Sequence, residues 1–159
     1  MASHCEHPHE RAGLTGRALK AELKAAESRC SEAAERLTAP RRRVLQLLLE
    51  AGQPVKAYDL IAAFGEDGAP AKPPTVYRAL EFLEQQGFAH RIESLNAFVA
   101  CRQGPDSHAA AFLICDCCGA TREVEPVGAD QLIGVANNAG YSVEVVTLEA
   151  HGRCAACMA

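Results

Sequence analysis

The placement of cysteines carries the first chemical signal. The stretch ICDCCGATREVE, residues 114–125, puts Cys115, Cys117 and Cys118 within four positions, and HGRCAACMA, residues 151–159, adds Cys154 and Cys157. Cys115 and Cys118 have two residues between them, and Cys154 and Cys157 repeat that spacing with 35 residues between the two pairs. Two intervening residues let a tight turn aim both sulfurs at one ion, so two such pairs can supply the four thiolates of a closed tetrahedral zinc site. Gly119 suits the knuckle because it tolerates a positive φ. The alternatives are a thioredoxin-like redox pair, which wants a βαβ context, and unliganded thiols. A strand-like segment follows Cys118 instead of a helix, which favours structural zinc. Cys117 occupies an x position of the knuckle and reads as a spare thiol, able to exchange onto the metal or to oxidise.

A second set is looser. Cys101 lies between His90 and His108 in sequence, a metal-ligand composition without a diagnostic spacing. Cys30 falls in an apolar stripe and reads as a small core residue. His4, Cys5, His7 and His9 sit in a polar N-terminal stretch whose composition is that of a disordered tail.

The chain has 159 residues, 48% of them hydrophobic, no tryptophan and a net charge of −4. That is enough for one ordinary domain or two small ones with thin cores, and thin cores lean on a metal or a partner chain. No apolar run is long enough to span a membrane, and the polar start lacks the apolar region of a secretory signal. A cytoplasmic location is therefore expected, where thiols stay reduced and eight cysteines point to metal rather than disulfides. Only three of the 16 basic residues, but seven of the 20 acidic ones, fall after residue 94. The chain is no bulk polycation, so any nucleic-acid contact needs a local patch in the first part; PRRR at 40–43 is the one tight basic cluster.

The elements that must position these residues follow from periodicity. Residues 15–37 are rich in helix formers, with Leu19, Leu23, Ala26 and Cys30 along one face. Thr38 and Pro40 open a second helix that ends near Gly52. A short helix runs from Ala57 to Phe64. The clearest helix starts at Pro73–Thr75 and stops at Gly87; Val76, Leu80 and Leu83 share its inner face while Thr75, Arg78 and Gln85 point elsewhere. Two alternating runs about Leu95–Asn96 form a hairpin. Helices followed by a hairpin make a winged helix-turn-helix. Beyond it the order is strand, strand, helix over Ala129–Ala139, then a strand in YSVEVVTLEAHG from Tyr141, an α+β arrangement. The expected organisation is a flexible tail at 1–13, a winged-helix DNA-binding domain at 14–101, a linker at 102–108 and a zinc-stabilised domain at 109–159.

AKPPTVYRALEFLEQQGFAH, CDCCGATREVE and EAHGRCAAC together resemble the ferric uptake regulator family, most closely its zinc-uptake branch, over residues 25–157. The resemblance implies a homodimeric, metal-dependent transcription repressor whose C-terminal α+β domain dimerises. It implies structural zinc on Cys115, Cys118, Cys154 and Cys157, and regulatory zinc at the hinge on His90, Cys101, His108 and Glu123, two Zn2+ per chain. Glu123 comes from the resemblance alone. A site with one thiolate, two imidazoles and a carboxylate suits zinc, whereas an iron sensor favours oxygen and nitrogen ligands. The expected partners are double-stranded operator DNA and a second copy of the chain, with the number of dimers per operator left open.

On the DNA-binding side, Arg78 has the fork that matches the guanine edge, and Tyr58 matches a family position that contacts DNA. Thr75 and Tyr77 can reach phosphates or base edges, and Arg41, Arg42, Arg43 and Lys72 are phosphate candidates. An enzyme is not expected, since a site filled by four protein ligands leaves no position for water. The competing readings are an iron- or peroxide-responsive regulator of the same family, and a zinc-storage or thiol redox protein without DNA binding.

Overall fold

A computed structural model describes residues 13–65, 69–102 and 109–158. They form two compact units, divided between residues 105 and 106.

The first unit is helical with a small sheet. Helix α1 spans Gly16–Glu32 and buries Leu19, Leu23, Ala26 and Cys30, the face its periodicity indicates. It is shorter than the helix-forming composition of 15–37 suggests. The chain turns at Ala34, where φ is +56, and the Ala34 and Glu35 amides bond back to the Ser31 and Cys30 carbonyls. Helix α2, Ala39–Ala51, buries Val44, Leu45 and Leu48. Thr38 holds its N-cap position, yet makes no side-chain capping bond. Gly13 lies against the end of α2, where the Leu14 amide donates to the Leu49 carbonyl at 2.8 Å and a Cβ on Gly13 would collide with the Glu50 carbonyl. The ordered unit thus takes in Gly13, the last residue of the expected tail; the rest of that tail lies outside the described residues.

Helix α3, Ala57–Ala62, is short. Helix α4, Pro73–Gln85, buries Val76, Ala79, Leu80, Phe82 and Leu83 on one side. Prolines are tolerated at its start because the first helical amides have no intrahelical acceptor. Gly87 adopts φ +68, and the Gly87 and Phe88 amides bond to the Glu84 and Leu83 carbonyls. This double closure, with Phe88 packed into the same core as Leu83, is the Schellman arrangement that glycine makes accessible. It delivers the chain directly into β1, Ala89–Ile92, which pairs antiparallel with β2, Ala97–Ala100. Val55 exchanges both backbone bonds with Phe98 at 2.8 Å and adds a third rung. The result is a winged helix-turn-helix around one core.

The second unit is built on β3, Ala109–Cys115, with β4, Thr121–Val124, antiparallel on one side and β5, Val146–Gly152, parallel on the other. Helix α5, Ala129–Asn138, connects β4 to β5, and a single turn, α6, spans Ala155–Met158. The last strand was expected from Tyr141; it starts at Val146. Among the described residues of this unit, the large apolar side chains that become buried are Phe112, Ile114 and Val146.

The first unit depends on the interlock of α2 with α4. Replacing fully buried Leu83 by Ala should cost about 2–5 kcal/mol. Urea unfolding of the full chain, followed through its helical signal, should show a lower midpoint at unchanged slope; an unchanged midpoint would contradict this packing.

Candidate metal centres and recognition surface

Cys115 is the last residue of β3, and Cys154 follows β5 by two residues. Because β3 and β5 run parallel, their ends lie side by side, with Cys115 registered opposite Gly152. Each strand therefore delivers a cysteine knuckle to the same edge. The first turns at Gly119, φ +74, whose amide bonds the Cys115 carbonyl at 2.8 Å. The second closes through the Cys157 amide on the Cys154 carbonyl at 2.9 Å.

The sulfurs of Cys115, Cys118, Cys154 and Cys157 all lie within 4.8 Å of one another. Cys118 Sγ and Cys154 Sγ are 3.7 Å apart. Tetrahedral zinc with bonds of about 2.3 Å places its sulfurs about 3.8 Å apart, so the donor set has the right size as well as the right chemistry. The protonation pattern agrees. Amides of Cys154, Cys118 and Cys117 lower the Cys115 thiol to about 6; the Cys154 amide approaches its sulfur at 3.3 Å. Burial and neighbouring sulfurs raise Cys118, and they push Cys157 up to about 12. The Cys115 thiolate forms readily while Cys118 and Cys157 resist, as expected where sulfurs crowd a space that a cation would neutralise. Cys117 takes no part in this four-sulfur cluster.

In the first unit, β1 and the end of β2 bring His90 and Cys101 together, with ligand atoms within 4.8 Å. The hairpin does this through its ladder: His90 faces Val99, and the Cys101 amide continues the pairing onto Phe88 at 2.9 Å. Burial lowers the His90 pKa below 6.5, leaving a neutral imidazole with a lone pair for a cation. Glu123 belongs to the second unit, on β4 opposite Phe112. His108 lies outside the described residues, as do His4, Cys5, His7 and His9.

The outer face of α4 presents Tyr77 and Arg78, with Thr75 half-buried at its start and Lys72 exposed just before it. Tyr58 on α3 is 77% exposed and Tyr77 is 54% exposed. Two large aromatic rings in solvent beside a free guanidinium form a surface suited to a partner rather than to the core.

The PRRR cluster behaves differently from the loose phosphate patch its composition suggests. Arg41 lies 3.5 Å from the centroid of the Phe82 ring and donates to the Arg36 carbonyl at 2.7 Å. Arg42 pairs with Glu27 at 2.9 Å. Arg43 donates to the Phe64 and Ala63 carbonyls at 2.7 and 3.0 Å, closing the end of α3. These three tie α2 to its neighbours. Sequence reasoning missed the work of Arg41 and Arg43 because their partners are backbone carbonyls and a ring, which carry no charge pattern; the partner of Arg42, Glu27, lies 15 residues away on another helix. It also missed a contact beside the first centre, His151 Nδ1 to Asp116 Oδ1 at 2.8 Å, whose signal in the sequence was a histidine and an aspartate flanking the two knuckles.

Among the described residues no helix is long and apolar enough to cross a membrane. The pattern of the ferric uptake regulator family matches residues 32–151. The zinc uptake regulation protein of Escherichia coli (strain K12) is 41% identical over 138 residues, covering 86% of this chain and 81% of that protein. A solved zinc uptake regulator complexed with zinc and DNA superposes with a TM-score of 0.80 at 40% identity, covering 90% of this chain and 97% of the other. The crystal structure of holo XcZur gives 0.76 at 45% identity, covering 87% and 97%. With the fold, the cysteine knuckles and these similarities in agreement, the chain belongs to the ferric uptake regulator family.

Proposed function

We propose that this chain is a zinc-dependent DNA-binding repressor of zinc-homeostasis genes that acts as a homodimer. The observation that carries the reading is the pairing of a thiol with a neutral imidazole, Cys101 with His90, on the wing of a domain whose helix α4 presents Tyr77 and Arg78 to solvent. The relatives of known structure at 40% and 45% identity support zinc as the metal, and so does the thiolate of Cys101, a ligand that favours zinc over the harder iron(II) ion.

The chain takes two zinc ions in this reading. One is structural, on Cys115, Cys118, Cys154 and Cys157. The other is regulatory, on His90 and Cys101 with His108 and Glu123. When bound, zinc supplies a multivalent charge that fixes the ligands it joins and exchanges no electrons. The protein does the rest. His90 offers its lone pair without first losing a proton, and Cys101 must ionise. Arg78 donates to base edges, Tyr58, Thr75 and Tyr77 contact bases or phosphates, and Lys72 reaches phosphate. Arg41, Arg42 and Arg43 serve mainly by holding α2 in place beneath the recognition helix.

A second copy of the chain is the proposed cover for the apolar surface of the second unit. Leu113, Val127, Leu132, Val135, Tyr141 and Val145 are all about half exposed or more. Helix α5 is amphipathic, yet Ala129 is the residue it buries. The location is cytoplasmic, where the operator is.

Gel-shift titration on an AT-rich palindrome should give a shifted complex with zinc and none with chelator. Cys101→Ser should abolish the zinc response while leaving one structural zinc per chain and an intact dimer, and Arg78→Ala should weaken specific binding by about 1–3 kcal/mol. Equal binding with zinc and with chelator would sink the sensor reading. For the dimer, Leu132→Glu with Val135→Glu should lower the sedimenting mass to that of a monomer, and an unchanged mass would reject α5 as part of the interface.

Filling the four-cysteine site requires Cys118 and Cys157, whose thiols lie above their usual pKa of 9.0, to give up their protons. Protons compete with the metal, so zinc affinity should rise with pH across 6.5–8. Zinc titration of metal-free protein in weakly buffered indicator should acidify the solution; a titration without acidification would refute thiol ligation.

A further inference from the structure

Asp116 follows Cys115 directly and opens the first knuckle, while His151 stands three residues before Cys154 at the end of β5. The His151 ring donates through Nδ1 to the Asp116 carboxylate at 2.8 Å, the carboxylate being acceptor only. From the opposite ring nitrogen, Nε2, the Glu149 carboxylate is 3.6 Å away. Glu149 and His151 are two apart on one strand and so share a face. The Asp116 amide adds a bond to the Gly152 carbonyl at 2.8 Å. Side chain and main chain of one residue thus fasten the first knuckle to β5 immediately before the second knuckle begins. The two carboxylates occupy opposite ring nitrogens, so they cannot share one ion with the imidazole. This trio is therefore no further metal site.

We propose that Asp116 and His151 form a clamp that positions the two cysteine knuckles for the structural ion and thereby sets how fast that ion is lost. The inference rests on the structural-zinc reading given above. Gly152, paired with Cys115 and accepting from the Asp116 amide, lies between the His151 side of the clamp and the second knuckle, so the clamp holds the strand end from which Cys154 and Cys157 follow. Four thiolates release an ion by opening one pair from the other, and the pairs here are the two knuckles. A strap across their bases keeps Cys154 and Cys157 returning to the metal after each partial opening. With 60% of the Asp116 side chain in solvent, such a contact adds little to global stability; its effect falls on the local opening that release requires.

The test follows zinc transfer to a coloured chelator from full-length, zinc-loaded protein in the Cys101→Ser background, so that the structural ion alone is observed. Asp116→Ala and His151→Ala should each release zinc about 10-fold faster, the lower end of what loss of an outer partner does at metal sites. Asp116→Asn retains an acceptor oxygen for the imidazole and should stay within about threefold of the parent, because the contact tolerates loss of charge better than loss of the oxygen. The double variant, Asp116→Ala with His151→Ala, should be no faster than either single one, since both remove the same contact. Unchanged release from Asp116→Ala, or multiplicative effects in the double variant, would overturn the clamp while leaving the zinc site standing. A parent protein that carries no zinc after purification and reloading would overturn both.

Discussion

The parallel pairing of β3 with β5 is the constraint on which the second unit depends. Cysteine knuckles 35 residues apart in sequence become neighbours because two parallel strands end at the same edge, in register from Ala109–Val146 to Cys115–Gly152. Antiparallel strands would have put the knuckles at opposite ends of the sheet. β5 can run parallel to β3 because antiparallel β4 first returns the chain to the end of the sheet where β3 starts, and α5 then carries it to the other side of β3. Phe112, Ile114 and Val146 make a thin interior, and a unit of this size cannot rely on apolar burial alone. Four thiolates on one ion contribute folding free energy where packing runs short.

The first unit solves the opposite problem. It has ample core, with Val44, Leu48, Val76, Leu80 and Leu83 almost fully shielded from water, and must hold one helix face out of it. The Schellman closure at Gly87 fixes where α4 ends. Arg43 closes α3, and Arg41 lies over the Phe82 ring on the inner side of α4. Each contact draws a basic residue inward. Tyr77 and Arg78 are among the side chains left outside on α4, so in the reading proposed above the arginines divide the labour: 41–43 position the helix, and 78 is left to make contact.

Much of this was legible in the sequence. The period of Leu19, Leu23, Ala26 and Cys30 gave the buried face of α1, and the C-x-x-C spacing gave the four ligands of the first centre without reference to any fold. Legibility failed where tertiary partners decide. Alanine and glutamate are helix formers throughout 15–37, yet the chain turns at Ala34 because the loop must lead into α2. Residues 141–145 look like strand, but pairing with β3 begins only at Val146. Spacing could suggest Cys101 and His90, which a hairpin ladder brings together. It could not single out Glu123 from other acidic residues, since that choice depends on a strand separated from them by the intervening chain.

Metal and DNA are coupled, in the reading proposed above, only through differential affinity. A metal that bound every arrangement of the two units equally well would shift nothing, however tightly it bound. The composition of the regulatory set meets this requirement. His90 and Cys101 lie eleven residues apart on one hairpin and form half a site within the first unit; half a site binds zinc weakly because two coordination positions are left to water. In that reading the further ligands, His108 and Glu123, lie beyond residue 102, so full coordination would be reached only in those arrangements that supply them. By linkage, whatever DNA contributes to selecting that arrangement returns as tighter zinc binding by the same factor. The structural centre is free of this coupling, because all four of its cysteines belong to one unit and are brought together by one strand pair. A sensor needs this division: one site that stays filled whatever the DNA-binding unit does, and one whose filling depends on it.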